Sequence, residues 1–99
     1  MKLFKMKLEC ENEIVSNVES NDINVIKAIV KSSPLIVYCY IENGIDPYCY
    51  FSFEIDFESN EVDLDGNRVA VKNAIEADNL IKEFILSWVS RYMKEGIKE

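Results

Sequence analysis

Hydrophobic and polar residues alternate along several stretches of this chain and recur at helical spacing along two others. Residues 2–10 set Phe4, Met6, Leu8 and Cys10 against Leu3, Lys5, Lys7 and Glu9, the period-two pattern of a half-buried strand. Ile14, Val15 and Val18 indicate a short second strand over 13–19, with an early helical turn as the alternative. Ser20-Asn21-Asp22 is an N-cap cluster, and Ile23, Ile26, Ile29 and Val30 follow it at helical spacing. Pro34 ends that helix, because the residue before a proline avoids the helical region.

Two strongly β segments follow, 35–42 and 48–58, joined by Glu-Asn-Gly-Ile-Asp-Pro. Asn43-Gly44 is a hairpin signal, and Pro47 implies a loop longer than two residues. In the first segment Val37, Cys39 and Ile41 share one register and Tyr38 and Tyr40 the other. In the second, Cys49, Phe51, Phe53, Ile55 and Phe57 alternate with Tyr48, Tyr50, Ser52, Glu54, Asp56 and Glu58. Segments 61–65 and 68–71 flank Asp65-Gly66-Asn67, a second hairpin signal, with Val62, Leu64, Val69 and Val71 directed to the same core.

The last segment is a helix. Ala77, Leu80, Ile81, Phe84, Ile85, Trp88, Val89 and Tyr92 make a broad stripe at spacings of three and four. Asn73 with Glu76 reads as a capping box, Asp78 as a later cap, and Gly96 as the terminating glycine. The expected fold is therefore α+β: a single domain over residues 1–99, in the order β-(β)-α-β-β-β-β-α. An antiparallel sheet of about four to five strands would pack on two helices.

Charge adds an asymmetry to this plan. From Ser32 to Asn67 the chain has no positive residue but eight carboxylates, while the remainder balances ten acids against eleven bases. The whole net charge of −7 thus comes from the β-rich middle. A surplus of acid argues against direct binding to nucleic acid or an anionic membrane, since both need Lys or Arg to displace counterions. The longest apolar run, Leu35 to Ile41, is seven residues against about 20 for a membrane helix, and Lys2, Lys5 and Lys7 interrupt the start of the chain. The expectation is a soluble, cytoplasmic protein. Three cysteines without a repeated spacing suit a reducing compartment, with Cys10, Cys39 and Cys49 as buried free thiols; a Cys39–Cys49 bridge is the alternative.

Catalytic chemistry is poorly provided for. The chain has no histidine, which removes the commonest general base and metal ligand, and none of its three glycines forms a phosphate-binding loop. Asp63-Leu-Asp65-Gly-Asn67 resembles part of a calcium loop, but the glycine falls at the fourth position and Ala74 occupies the twelfth. Turn formation accounts for it. No catalytic residue, metal site or cofactor is expected, and the protein is read as not an enzyme.

The remaining lead is the outward register of the 35–58 hairpin. Tyr38, Tyr40, Glu42, Asp46, Tyr48, Tyr50, Glu54, Asp56 and Glu58 would form a strip running from tyrosine to carboxylate. Tyrosine supplies contact area with a hydrogen-bonding tip, and acids steer a basic surface. The bland alternative is a solvated sheet whose tyrosines pair across strands. In general character the chain resembles the small acidic inhibitors of bacteria and phages, including immunity proteins that neutralise nuclease toxins and phage proteins that block nucleic-acid enzymes. That resemblance implies a non-catalytic inhibitor of a basic protein. A dimeric secretion-type chaperone or adaptor, self-associating through its terminal helix, is the alternative.

Overall fold

The computed structural model describes residues 3–42 and 53–95. The element order is β1 (Lys5–Cys10), β2 (Val15–Glu19), α1 (Ile23–Ser32), β3 (Ile36–Ile41), β4 (Phe53–Asp56), β5 (Glu61–Leu64), β6 (Asn67–Ala70) and α2 (Ala74–Glu95). This is the α+β order read from the pattern, with the segment after residue 13 a strand. The strands do not share one sheet. They form two antiparallel three-stranded sheets, one ordered β2-β1-β3 and the other β4-β5-β6. The second sheet is a local meander, because its two connections are only four and two residues long. The Asn43-Gly44 turn and residues 46–52 lie outside the described residues, as does Gly96.

The local signals act where they were expected. Asn24 N–H donates to Asp22 Oδ1 at 2.9 Å, capping α1, and Ser33 adopts an extended backbone ahead of Pro34. Glu76 N–H donates to Asn73 Oδ1 at 2.9 Å, so Asn73 caps α2 and Asp78 is left for another task. Asp65 and Gly66, with φ of 54° and 89°, make the two-residue turn between β5 and β6.

Two valines depart from the expected core. The pairing of β1 with β3 shifts between Glu9 and Cys10, where Tyr38 is followed by Ile36 as the partner. Val37 is the extra residue of this β-bulge, so Ile36 takes the core position and Val37 turns to solvent. Val69, expected in the core, pairs with Val62 but stays exposed, because β6 is an edge strand.

One core unites the sheets. Phe4, Met6, Leu8, Val18, Cys39 and Ile41 come from the first sheet, Ile26 and Val30 from α1, and Val62 from the second sheet. Along α2, Ala77, Ile81, Ile85, Val89 and Tyr92 are buried at spacings of three and four, and the helix packs against both β3 and β5. Trp88 lies between Phe84 and Tyr92, with ring centroids 6.4 and 6.1 Å away.

Lys82 locks the helices together. Its Nζ donates to Ser33 O at 2.6 Å, to Lys31 O at 3.3 Å and to Asp78 Oδ2 at 2.9 Å. All three ammonium donors are thereby used, two on carbonyls at the C-terminal end of α1, where positive charge is favourable. With only 12% of its side chain exposed, Lys82 is shielded from solvent. Lys82→Met should lower stability by about 1–3 kcal/mol in urea unfolding, because it leaves Asp78 and the Ser33 carbonyl without their cation. In the β1–β2 turn, Glu13 sits at φ 66° while its N–H donates to Cys10 O at 3.0 Å. That backbone suits glycine, so Glu13→Gly should stabilise the protein by roughly 0.5–1 kcal/mol in the same assay.

Candidate functional site

The carboxylates of the second sheet collect on its outer face through register alone. Glu54 pairs directly with Asp63 and Asp56 with Glu61 across β4 and β5, while Asp63 pairs with Arg68 across β5 and β6. These residues, together with Glu58 in the following turn, line a concavity of about 340 Å³. Like charges directly opposite one another weaken a sheet by about 0.2–1 kcal/mol per pair, and this face carries two such pairs. Among the described residues Arg68 is the one cation lining the concavity, and its Nη1 donates to Glu61 Oε2 at 3.1 Å. The Glu61 carboxylate holds the guanidinium pKa above its ordinary value, with Asp63 and Asp56 adding to the effect.

Three of the five acids also have local structural roles. Asp56 Oδ1 accepts the N–H groups of Glu58 and Ser59 at 3.0 and 3.2 Å, fixing the turn over residues 57–60. Asp63 Oδ1 accepts Gly66 N–H at 2.7 Å, which ties it to the next turn. Glu61 holds Arg68. Glu54 and Glu58 have no salt-bridge partner among the described residues. They are the acids whose placement folding does not explain.

The expected strip of Tyr38, Tyr40, Glu42, Asp46, Tyr48, Tyr50, Glu54, Asp56 and Glu58 divides between the sheets. Asp46, Tyr48 and Tyr50 lie outside the described residues. Tyr38 and Tyr40 stand on the outer face of the first sheet, opposite Glu9 and Lys7, with ring centroids 5.7 Å apart. Tyr40 O–H donates to Glu42 Oε1 at 3.4 Å, and Lys7 Nζ lies 4.0 Å from the same oxygen and 5.9 Å from the Tyr40 ring centroid. This cluster is close to charge balance, with Lys5 and Lys7 sharing the face with Glu9, Glu19 and Glu42. The larger excess of acid is on β4–β6, where five carboxylates meet Arg68.

A second concavity of about 240 Å³ opens where β4 approaches β3, lined by Val37, Phe53, Ile55 and Phe57 with Glu11 and Glu54. Sequence reasoning missed it, along with the parts played by Glu61, Asp63 and Arg68. The Asp65-Gly66 turn was the available signal for the latter, because a two-residue hairpin places Asp63 opposite Arg68. No comparable signal marks the bulge at Val37.

Other chemistry finds little footing. Among the described residues no three acidic or thiol side chains are grouped so as to hold a metal ion. Cys10 and Cys39 are free and buried, and burial pushes both thiols up, Cys39 much the further, so neither has thiolate character. No helix among the described residues is long and apolar enough to cross a membrane. Compared with known proteins, the chain matches no family model, no curated protein and no solved structure. Its chemistry must be read from its own side chains.

Asp56 supplies a test of the face's local electrostatics. Hydrogen bonds from the Ser59 side chain and backbone, with one from Glu58 N–H, hold its carboxyl below the ordinary value of 3.8. The folded pKa is depressed, so its contribution to the turn is present above the unfolded value and is lost as pH falls through the folded one. In a carboxyl-carbon NMR titration Asp56 should show a midpoint below 3.8, and Ser59→Ala should move that midpoint upward.

Proposed function

We propose that this chain is a small non-catalytic binding protein of inhibitor or immunity type, which engages a basic partner protein through the outer face of β4–β6. The observation that carries the reading is Glu54. It faces Asp63 across the ladder, has no cationic partner among the described residues, and lies on the wall of an acidic concavity. Charge on the edge strand β4 discourages edge-to-edge pairing in a solvated sheet, and a basic surface docking there would in addition neutralise several carboxylates at once. A nuclease toxin or another nucleic-acid enzyme, whose cleft is basic because its substrate is anionic, is the partner class this chemistry fits. Tyr38 and Tyr40 on the adjoining sheet would supply flanking anchors. Action in a reducing cytoplasm fits the free thiols of Cys10 and Cys39.

The dimeric chaperone or adaptor would need α2 to offer an apolar face. Ala77, Ile81, Ile85, Val89 and Tyr92 of that stripe are buried within the chain, and Leu80, Phe84 and Trp88 pack half-buried against the same core, so that reading ranks second.

Charge reversal at Glu54 and Glu58 separates binding from folding better than a change that includes Asp56, which holds its turn. A basic protein would be captured from host extract on the immobilised chain and its affinity measured for wild type and for Glu54→Lys/Glu58→Lys. The variant should bind about ten- to a hundredfold more weakly at low salt, with its melting temperature unchanged or raised. Undiminished binding and undiminished inhibition by the variant would refute the proposal.

A further inference from the structure

The apolar concavity beside the acidic face has features that neither sheet needs for its own packing. Val37 is turned out of the first sheet by the β-bulge and stays 42% exposed, and Phe57 at the end of β4 stays 55% exposed. Bulges commonly re-aim one side chain, and here the re-aimed valine meets Phe53, Ile55 and Phe57 across a shared space. Isolated exposed hydrophobes are ordinary, but these converge from two sheets on one hollow. At about 240 Å³ it falls below the roughly 300–1,000 Å³ of small-molecule sites, a size for one inserted side chain rather than a cofactor.

Charge decides what kind of chain would bring that side chain. Glu11 and Glu54 complete the lining, and neither has a salt-bridge partner among the described residues. The slot also shares Glu54, Ile55 and Phe57 with the acidic concavity, so β4 is a common wall between them. An anionic membrane surface or a second copy of this chain, at net −7, would meet repulsion there. A cationic segment would be drawn in.

We infer that the slot and the acidic face form one site for an extended, basic segment of a partner protein. One leucine- or phenylalanine-sized side chain enters between Val37 and Phe57, while lysines or arginines on either side of it meet Glu11, Glu54 and Glu58. The inference rests on the reading of the β4–β6 face as a docking surface for a basic protein, and it adds a specificity element to it. Charge would bring many basic chains to the face, and the slot would select those presenting an apolar residue between their cations.

The test uses three fluorescently labelled peptides, Lys-Arg-Leu-Arg-Lys, Lys-Arg-Ala-Arg-Lys and Glu-Glu-Leu-Glu-Glu, titrated at low salt with the full chain and followed by anisotropy. The leucine peptide should bind about tenfold more tightly than its alanine counterpart, and the acidic peptide should not bind. That preference should vanish in Val37→Ser/Phe57→Ser, with the affinity for the alanine peptide retained. Both side chains are half open to solvent, and the wild-type comparison stands even if the variant proves unstable. Equal affinity of wild type for the two basic peptides would overturn the slot and leave the acidic face standing. Failure of both basic peptides to bind, or equal binding of the acidic one, would overturn the acidic-face reading and the slot with it.

Discussion

Burial of one stripe of α2 against two separate sheets is the interaction on which the rest of this molecule depends. Ala77, Ile81, Ile85, Val89 and Tyr92 recur along one side of the helix, which packs on β3 of the first sheet and β5 of the second. The second sheet could not stand without it. Its strands are four residues long, and Val62 is its only strand residue in the fully buried core. A small meander with so little apolar surface of its own is marginal in water. Lys82 extends the same dependence to α1, whose C-terminal carbonyls it caps from one side of α2.

Because α2 secures the inner side of the meander, the outer side is free of packing duties and can hold charge. Glu54, Asp56, Glu61 and Asp63 fall on that side through alternation, and the pairing of β4 with β5 sets acid against acid. Part of the cost is offset locally. Arg68 answers Glu61, and the carboxylates of Asp56 and Asp63 accept turn N–H groups. Glu54 and Glu58 are not offset in this way, and the burden on stability they represent is of the kind proteins retain at working surfaces. The β-bulge at Val37 is a second local concession beside the same strand.

What could be read from the residues was what depends on local rules. Asp22 and Asn73 cap their helices, Pro34 follows the end of α1, and Asp65-Gly66 makes its turn, because each answers a requirement satisfied within a few residues. The α2 stripe was legible for the same reason. The division into two sheets was not, since alternation states which residues share a face but not which strands share a ladder. Segment 48–58 looked like the second arm of one long hairpin; residues 48–52 lie outside the described residues, and Phe53–Asp56 pairs with β5 in the second sheet. The candidate site shifted accordingly. Tyr38 and Tyr40 sit in a cluster with Lys7 and Glu42, and the acid that one strand displayed proved to be joined by Glu61, Asp63 and Arg68 from the next two. Single-strand patterns cannot reveal such a cross-strand assembly, nor a bulge that turns one valine around.

The proposal for the outer face of β4–β6 is that a basic partner docks there. Its most direct test is an amide chemical-shift map of the ¹⁵N-labelled chain, recorded as the captured partner is titrated in. The largest shifts should fall on Glu54, Asp56, Glu58, Glu61, Asp63 and Arg68, and they should fade as salt is raised. Shifts confined to the Tyr38–Tyr40 face of the first sheet or to the exposed side of α2, and insensitive to salt, would contradict it.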